Sequence, residues 1–365
     1  MTLATKDIPD PDALLRSVLA QVAPGTALRD GLERILRGST GALLVLGQDK
    51  TLSTISSGGF EVNIEFTATR LRELAKMDGA VLCDRDATKI YSAAVQLLPD
   101  PSIPTNEQGT RHRTADRVSR QTGMTVVSVS KSMNIIALYL DGRRYVLEDP
   151  STILSKANQA LATLERYKTR LNEVEGEVSA LEIEDLVTIR DVASALQRHE
   201  MVRRIASEIY DYVVELGTDG RLLSLQLEEL IAGRTEDFQH VVRDYVPMTG
   251  RKVKPIEPVL AALAALDPSS LLDLTSVAGA LGLPSDIESL DTSVQARGYR
   301  ILSKVPRLPE TVIENLISHF GGLQRLLAAD TDELRDVEGV GESRARAIKE
   351  KLARLAESGL QSRYL

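Results

Sequence analysis

The sequence predicts a multidomain protein: an N-terminal mixed α/β domain over residues 1–150, an all-α helical spine over 151–290, and a compact helical domain over 291–365. Three observations carry this division. Up to Pro150, apolar runs of strand length alternate with amphipathic helical stretches, the pattern of a central sheet flanked by helices. From Ser151 to Val246 there is no proline, and apolar residues recur at helical spacing. Near the C-terminal end, Gly339-Val340-Gly341 separates two helical patterns. The length of 365 residues itself exceeds one ordinary core.

In chain order, Asp10 to Arg37 reads as helix, with Leu14, Leu15, Val18, Leu19 and Val22 on one face and a break at Pro24-Gly25-Thr26. Ala42 to Leu46 is a continuous apolar run closed by Gly47, which suits a strand buried on both faces. Thr67 to Met77 is a short helix that Thr67 or Thr69 caps, and Ala80 to Cys83 is a second buried strand. Lys89 to Leu98 is a third strand, followed by a loop marked by Pro99, Pro101 and Pro104. Helical character over Thr114 to Gln121 stops at Gly123, and strands follow at Thr125 to Ser130 and Ile135 to Leu140. Tyr145-Val146-Leu147 then pairs back across Asp141-Gly142, the strongest short hairpin signal in the chain.

In the spine, Leu161, Leu164, Leu171, Val174, Val178 and Leu181 form a narrow helical seam, with charged residues on the other faces. Gly217 to Gly220 marks a turn between two further helices. Spacing or assembly, not chemistry, is the expected role of this part.

Composition narrows the function. The net charge of −8 excludes a generally cationic nucleic-acid binder, so any such contact needs a local basic patch. An aromatic content of 4% without tryptophan argues against base-stacking or sugar-stacking surfaces. The single Cys83 excludes an internal disulfide and a cysteine-based zinc site, and its apolar run reads as a buried strand. The first residues lack a signal-peptide pattern and no apolar run approaches a membrane span, so a cytoplasmic protein without membrane contact is expected.

Two segments carry chemistry. Gly109-Thr110-Arg111-His112-Arg113-Thr114-Ala115 sets two guanidinium forks around a histidine at the mouth of a helix. Such forks match phosphate oxygens, and the N–H groups around Thr114 and Ala115 would add partial positive charge. Asp78-Gly79-Ala80 offers a carboxylate on a glycine turn, which suits metal-assisted phosphoryl or nucleotidyl transfer. Asp78 is the candidate metal ligand, for Mg²⁺ or Mn²⁺, and Asp78 and His112 are the candidate catalytic residues. No Walker A or kinase signature is present.

Leu334 to Ile348 resembles the helix-hairpin-helix motif of DNA-repair proteins, with Gly339, Val340 and Gly341 as the hairpin. The second helix offers Arg344, Arg346, Lys349, Lys351 and Arg354, a basic patch within an acidic chain. Pro309 to Gly322, ending in Phe320-Gly321-Gly322, looks like a degenerate first hairpin. DNA contact of this kind is sequence-independent and salt-sensitive, with Gly339, Val340, Gly341, Arg344, Arg346 and Lys349 as its residues.

Asp78-Gly79-Ala80 and Gly109 to Ala115, with Asp78 and Arg111 33 residues apart, resemble the two signature motifs of the diadenylate cyclase domain. That domain, a helical spine and a helix-hairpin-helix tail in this order are similar to the bacterial DNA integrity scanning family over essentially the whole chain. The resemblance implies condensation of two ATP into cyclic di-3′,5′-AMP and two pyrophosphates, at active sites that exist only where two domains face each other. It also implies octamers. One chain that joins a phosphate-gripping tail to a nucleotidyl-transfer head further predicts regulation, with engagement of branched or damaged DNA lowering synthesis through the spine. By the same resemblance Asp78 holds the metal and activates the 3′-hydroxyl. Gly79 and Ala80 lie at the nucleotide, Thr110, Arg111, His112, Arg113 and Thr114 hold the phosphates, Ser130 stands near them, and Leu97 contacts the adenine. Where the family has an arginine-rich run after the serine, this chain reads Lys131-Ser132-Met133-Asn134. Lys131 keeps a charge without the bidentate fork. The alternatives are a non-catalytic ATP-binding scaffold for DNA repair, and a nuclease, which the lack of a dense carboxylate cluster disfavours.

Overall fold

The computed structural model describes residues 13–140, 142–249, 252–253 and 255–361. They form two compact units, the described residues up to 159 with 209–225, and those of 160–208 with the described residues from 226 onward.

In the first unit, helices α1 (Ala13–Gln21) and α2 (Ala27–Arg37) precede the central strand β1 (Ala42–Leu46). The Pro24-Gly25 break ends where Thr26 caps α2, its hydroxyl accepting the Arg29 N–H. The anticipated start at Asp10 lies outside the described residues. Helix α3 (Lys50–Ile55) and strands β2 (Ser56–Ser57) and β3 (Phe60–Glu65) follow. The sequence did not signal these three, because β3 is a largely exposed edge strand without an apolar run. Helix α4 (Ala68–Leu74), capped by Thr67, leads to β4 (Ala80–Cys83) and β5 (Lys89–Leu97). Helix α5 (Thr110–Thr122), β6 (Thr125–Ser130), β7 (Ile135–Leu140) and β8 (Arg143–Val146) complete the unit's sheet and its covering helices. The β7–β8 hairpin is present, with Asp141 of its turn outside the described residues.

The sheet runs β2-β5-β4-β1-β6-β7-β8, with β3 also on β5. β1 pairs parallel with β4 and antiparallel with β6, so it is central, and all five of its residues are buried. One sheet face packs on Leu28, Leu32 and Ile35 of α2 and Leu71 of α4. The other packs on Leu52 and Ile55 of α3 and Ala115 and Val118 of α5. Cys83 is fully buried in the first of these layers, and burial pushes its thiol up to about 12.

The spine starts with the long helices α6 (Pro150–Glu184) and α7 (Ile189–Leu216), and the division between the units falls within both. The turn at Gly217–Gly220 is a single 3₁₀ turn. Helices α8 (Arg221–Ile231), α9 (Arg234–Tyr245), α10 (Glu257–Ala265), α11 (Pro268–Leu272) and α12 (Leu274–Leu281) follow. The tail holds α13 (Tyr299–Ser303), α14 (Glu310–Phe320), α15 (Leu323–Ala328), α16 (Thr331–Arg335) and α17 (Glu342–Gln361). One core runs from Val187 of the spine to Leu352 of the tail. The segments expected as separate domains, 151–290 and 291–365, therefore share apolar packing.

A buried polar joint fixes α13 to the spine. Arg300, 1% exposed, pairs with Glu182 and hydrogen-bonds Ser179 Oγ at 2.9 Å. Asp244 accepts N–H bonds from Gly298, Tyr299 and Arg300 at 2.7, 2.7 and 3.0 Å, capping the same short helix. Arg297 donates to the Arg243, Asp244 and Val246 carbonyls, satisfying the last turn of α9.

Candidate functional site

Strand register brings the predicted head residues to one end of the sheet. Leu44 pairs with Val81 in parallel, and continuing that register backward sets Gly41 level with Asp78. Ala42 pairs with Val129 antiparallel, which sets Gly41 level with Ser130 as well, and Ser130 pairs with Ile135. The pairing of Ala80 with Val95 carries Leu97 to the same level on β5. Segments separated by 89 residues in the chain, Gly41 to Ser130, thus form one row.

Helix α5 reaches that row with its first turn. It begins at Thr110, four residues before the expected start, so the N–H groups left free of the helix ladder belong to Thr110, Arg111 and His112. Those of Thr114 and Ala115 are spent inside the helix, and the Arg113 N–H bonds the Gly109 carbonyl. Gly109, at φ +83°, supplies no side-chain cap. The Arg111 guanidinium lies directly over Gly41, where a Cβ would meet Nη1 at 2.2 Å. Among the described residues, the side chains of Asp78, Arg111 and Arg113 have neither an ion pair nor a hydrogen bond, and all three are exposed. The Asp78 carboxylate and the Arg111 guanidinium therefore stand at this end of the sheet without in-chain partners, and the Arg113 guanidinium is equally unpaired in the first turn of α5.

Gly79 has a reason to be glycine that lies within the chain. Its φ is +114°, and a Cβ would come within 2.6 Å of the Ala94 carbonyl carbon, on a bulge of β5 where Ala94 itself has φ +55°. The Ala80 and Leu97 side chains are both in the core beneath α3 and α5. Only their backbones and the Leu97 edge are left for a ligand. Thr110 is exposed and Thr114 half-buried. Ser130 is 5% exposed, and its hydroxyl accepts from the Met133 N–H at 3.4 Å, holding the Lys131–Asn134 turn. Lys131 is exposed there.

His112 is turned inward, unlike its neighbours. It is 6% exposed, and Nδ1 lies 2.8 Å from the Tyr139 hydroxyl of β7. Burial, then the nearby Arg144, hold its pKa below the ordinary histidine value. Tyr139 is raised by burial and by the negative charge of the nearby Glu107 carboxylate. No group of three or more His, Cys, Asp or Glu side chains suited to a metal occurs among the described residues.

In the tail, Gly339 has φ +87°, Val340 is 5% exposed, and the Val340 N–H bonds the Val337 carbonyl. Gly341 has open space where a Cβ would be. The basic patch is smaller than expected. Lys349 is withdrawn, donating to the Leu327 and Ala329 carbonyls at the end of α15. Arg346 pairs with Glu342 and Arg344 bonds the Gly339 carbonyl, yet both stay exposed. The first hairpin also moves. Val305, Arg307, Leu308 and Pro309 stand 32 residues before Val337, Gly339, Val340 and Gly341. Arg307 has φ +60° where Gly339 has +87°, and the Leu308 N–H bonds Val305 as Val340 bonds Val337. The hairpin is therefore Val305–Pro309 between α13 and α14, and Phe320-Gly321-Gly322 is only the joint from α14 to α15.

Comparison with known proteins agrees with this layout. A family model for the DisA bacterial checkpoint controller nucleotide-binding region matches residues 29–144, and one for the DisA linker region matches 147–290. A helix-hairpin-helix motif matches 322–351. The DNA integrity scanning protein DisA of Streptomyces coelicolor is 62% identical over 355 residues, 97% of this chain and 95% of that protein. That of Acidothermus cellulolyticus is 61% identical over 369 residues, covering all of both chains. The chain belongs to the DisA family.

As a DisA-family protein it is a diadenylate cyclase with a helix-hairpin-helix DNA-binding segment. No described helix is long and apolar enough to cross a membrane. Three residues beside these groups escaped the sequence reading. Gly41, immediately before a buried strand, carried the signal of a close backbone approach. Tyr139 is a polar-tipped side chain in an apolar strand, which needs a partner. Glu107 had no signal of its own.

Proposed function

We infer that two copies of the chain work face to face, each holding one ATP, to make cyclic di-3′,5′-AMP and two pyrophosphates. The observation that carries this reading is the convergence of Asp78, Arg111 and Ser130 at one end of the sheet, with the charged groups unpaired. Joining two nucleotides into a ring needs two 3′-oxygens and two α-phosphates, and one exposed row of this kind supplies groups for one of each. Each 3′-oxygen bonds the other nucleotide's α-phosphorus, the bond to the bridging oxygen breaks, and pyrophosphate leaves.

Arg111 and Arg113 offset the triphosphate charge, and the free N–H groups of Thr110 to His112 add partial positive charge. Asp78 accepts the 3′-hydroxyl proton and passes it to solvent. Mg²⁺ or Mn²⁺ fits one free carboxylate when phosphate oxygens and water fill the other positions, so Asp78 would hold it. Such an ion supplies neutralisation of charge on the phosphates. Ser130 lies level with Asp78 and supports a phosphate contact, while Ala80 and Leu97 bound the nucleotide by backbone and strand edge.

The tail extends the reading to regulation. The two hairpins grip DNA backbone phosphates without regard to sequence, and engagement of branched or damaged DNA lowers synthesis. Higher assembly to octamers brings the head sites into pairs. Incubation with ATP and Mg²⁺ or Mn²⁺ should yield cyclic dinucleotide and pyrophosphate, and ADP or no product would refute the cyclase. Asp78→Asn should abolish turnover while ATP and DNA binding persist. Cyclase rates that stay constant as four-way junction DNA reaches saturation would remove the regulatory part.

A further inference from the structure

The strap of chain between β5 and α5 runs back along the helix that it precedes. The Asp100 N–H donates to Gln121 Oε1 at 2.9 Å, and Arg117 Nε donates to the Ile103 carbonyl at 3.0 Å. From Asp100 to Ile103 the strap thus passes about one turn of α5, heading for the helix start. Near that start it is held from the sheet instead. Nη1 of Arg144, on β8, contacts both carboxylate oxygens of Glu107, at 3.2 and 3.5 Å. Arg144 pairs with Tyr139 across the β7–β8 ladder, so both side chains stand on the sheet face that α5 covers. The Tyr139 hydroxyl lies 2.8 Å from His112 Nδ1, which places the Glu107–Arg144 pair by the first turn of α5.

That place is unfavourable for a carboxylate. The free N–H groups of Thr110, Arg111 and His112, with the unpaired Arg111 guanidinium, suit the turn to anions. A negative charge two residues ahead of Gly109 repels the phosphates that the turn attracts, and competes with them for the guanidiniums. The Glu107 side chain is only 17% exposed, so water screens it incompletely. No local lock holds it aside either, because Gly109 has φ +83° and supplies no side-chain cap.

We propose that Arg144 is a positioning residue of the cyclase: by pairing with Glu107 it offsets that carboxylate and holds it off Arg111 and Arg113, so that the ATP phosphates meet no rival anion at the first turn of α5. The proposal rests on the head site being the nucleotide site, not on turnover there. Arg144 acts through Glu107 and touches no phosphate. Both of its contacts use one nitrogen, so the pair requires a charge and not a bidentate fork.

The test is calorimetric titration of the full chain with 3′-deoxy-ATP and Mg²⁺. This nucleotide lacks the attacking hydroxyl, so binding is read without reaction. Arg144→Ala leaves the carboxylate uncompensated and should weaken binding roughly tenfold. Arg144→Lys should stay within about threefold of wild type. Adding Glu107→Gln to Arg144→Ala should restore binding to within about threefold of wild type. The double variant lacks the same clamp on the strap as Arg144→Ala, so its recovery would come from the removed charge and not from the fold. Wild-type binding by Arg144→Ala overturns the proposal. A double variant that binds no better than Arg144→Ala also overturns it, and would make Arg144 a phosphate contact or a purely structural clamp. Arg111→Ala tests the site itself: unchanged binding would defeat the head-site reading and the proposal together. Weakened binding by Arg111→Ala beside an unaltered Arg144→Ala would defeat the proposal alone.

Discussion

Gly41→Ala separates Arg111, the proposed phosphate clamp, from the fold. Gly41 lies outside the left-handed backbone region, so alanine fits its conformation without strain. The new methyl would stand 2.2 Å from Arg111 Nη1, 2.7 Å from Cζ and 3.0 Å from Nη2. Ordinary contact begins at 3.4 Å, so the guanidinium must retreat by about 1.2 Å. The group that moves is the tip of a flexible side chain, and the row of Asp78 and Ser130 stays in place. Loss of one charge-assisted contact of this kind costs about 1.5–3 kcal/mol, or roughly 10- to 150-fold in kcat/KM for ATP. Stability should move the other way, up by about 0.4–1 kcal/mol, because alanine restricts the unfolded chain. The assays are steady-state pyrophosphate release and thermal unfolding. A kcat/KM within about threefold of wild type would refute the placement of Arg111 over Gly41 as the source of its function. A fall in stability to match the fall in activity would refute the claim that only the guanidinium tip gives way.

Other expectations follow from the same geometry. Arg307 holds a positive φ and is exposed, so Arg307→Gly should raise stability by roughly 1 kcal/mol while lowering DNA affinity and its salt slope by about one; unchanged DNA affinity would exclude the first hairpin from contact. Glu182→Ala leaves Arg300 as an unpaired buried cation and should cost about 3–5 kcal/mol, read by denaturant unfolding, whereas a loss below 1 kcal/mol would mean the joint admits water. Glu215 is buried against Tyr145, and burial raises its carboxyl pKa. The raised value favours the protonated form in the fold, so its contribution is complete below the unfolded value of about 4.3 and is lost as pH rises through the folded value. Glu215→Gln should flatten the decline of the unfolding temperature over that range, and an unaltered profile would assign the decline elsewhere.

The parts of the fold legible in the sequence are those whose signal is local. Ala42 to Leu46 and Ala80 to Cys83 are short apolar runs because their strands are buried on the inside of a covered sheet. Thr67 sits where its hydroxyl caps a helix, and Gly123 where a left-handed residue ends one. β3 was not legible, since an exposed edge strand needs no apolar alternation. The first hairpin was read too late in the chain because glycine is the usual mark of a positive φ, and here Arg307 adopts it. Lys349 read as a DNA contact because its charge is visible in the sequence, while the two carbonyls that consume it are not.

The order of domains, the two signature motifs and the Gly-x-Gly hairpin are matters of residue type and spacing, and the sequence by itself determined them. Which side chains meet is a matter of register and helix start, and only the tertiary structure decided it. Gly41, Asp78 and Ser130 share a row because β1 pairs parallel on one side and antiparallel on the other. His112 faces Tyr139 while Arg111 faces Gly41 because successive residues of a helix point about 100° apart. A motif written as a run of neighbours is thereby divided between the core and the open end of the sheet.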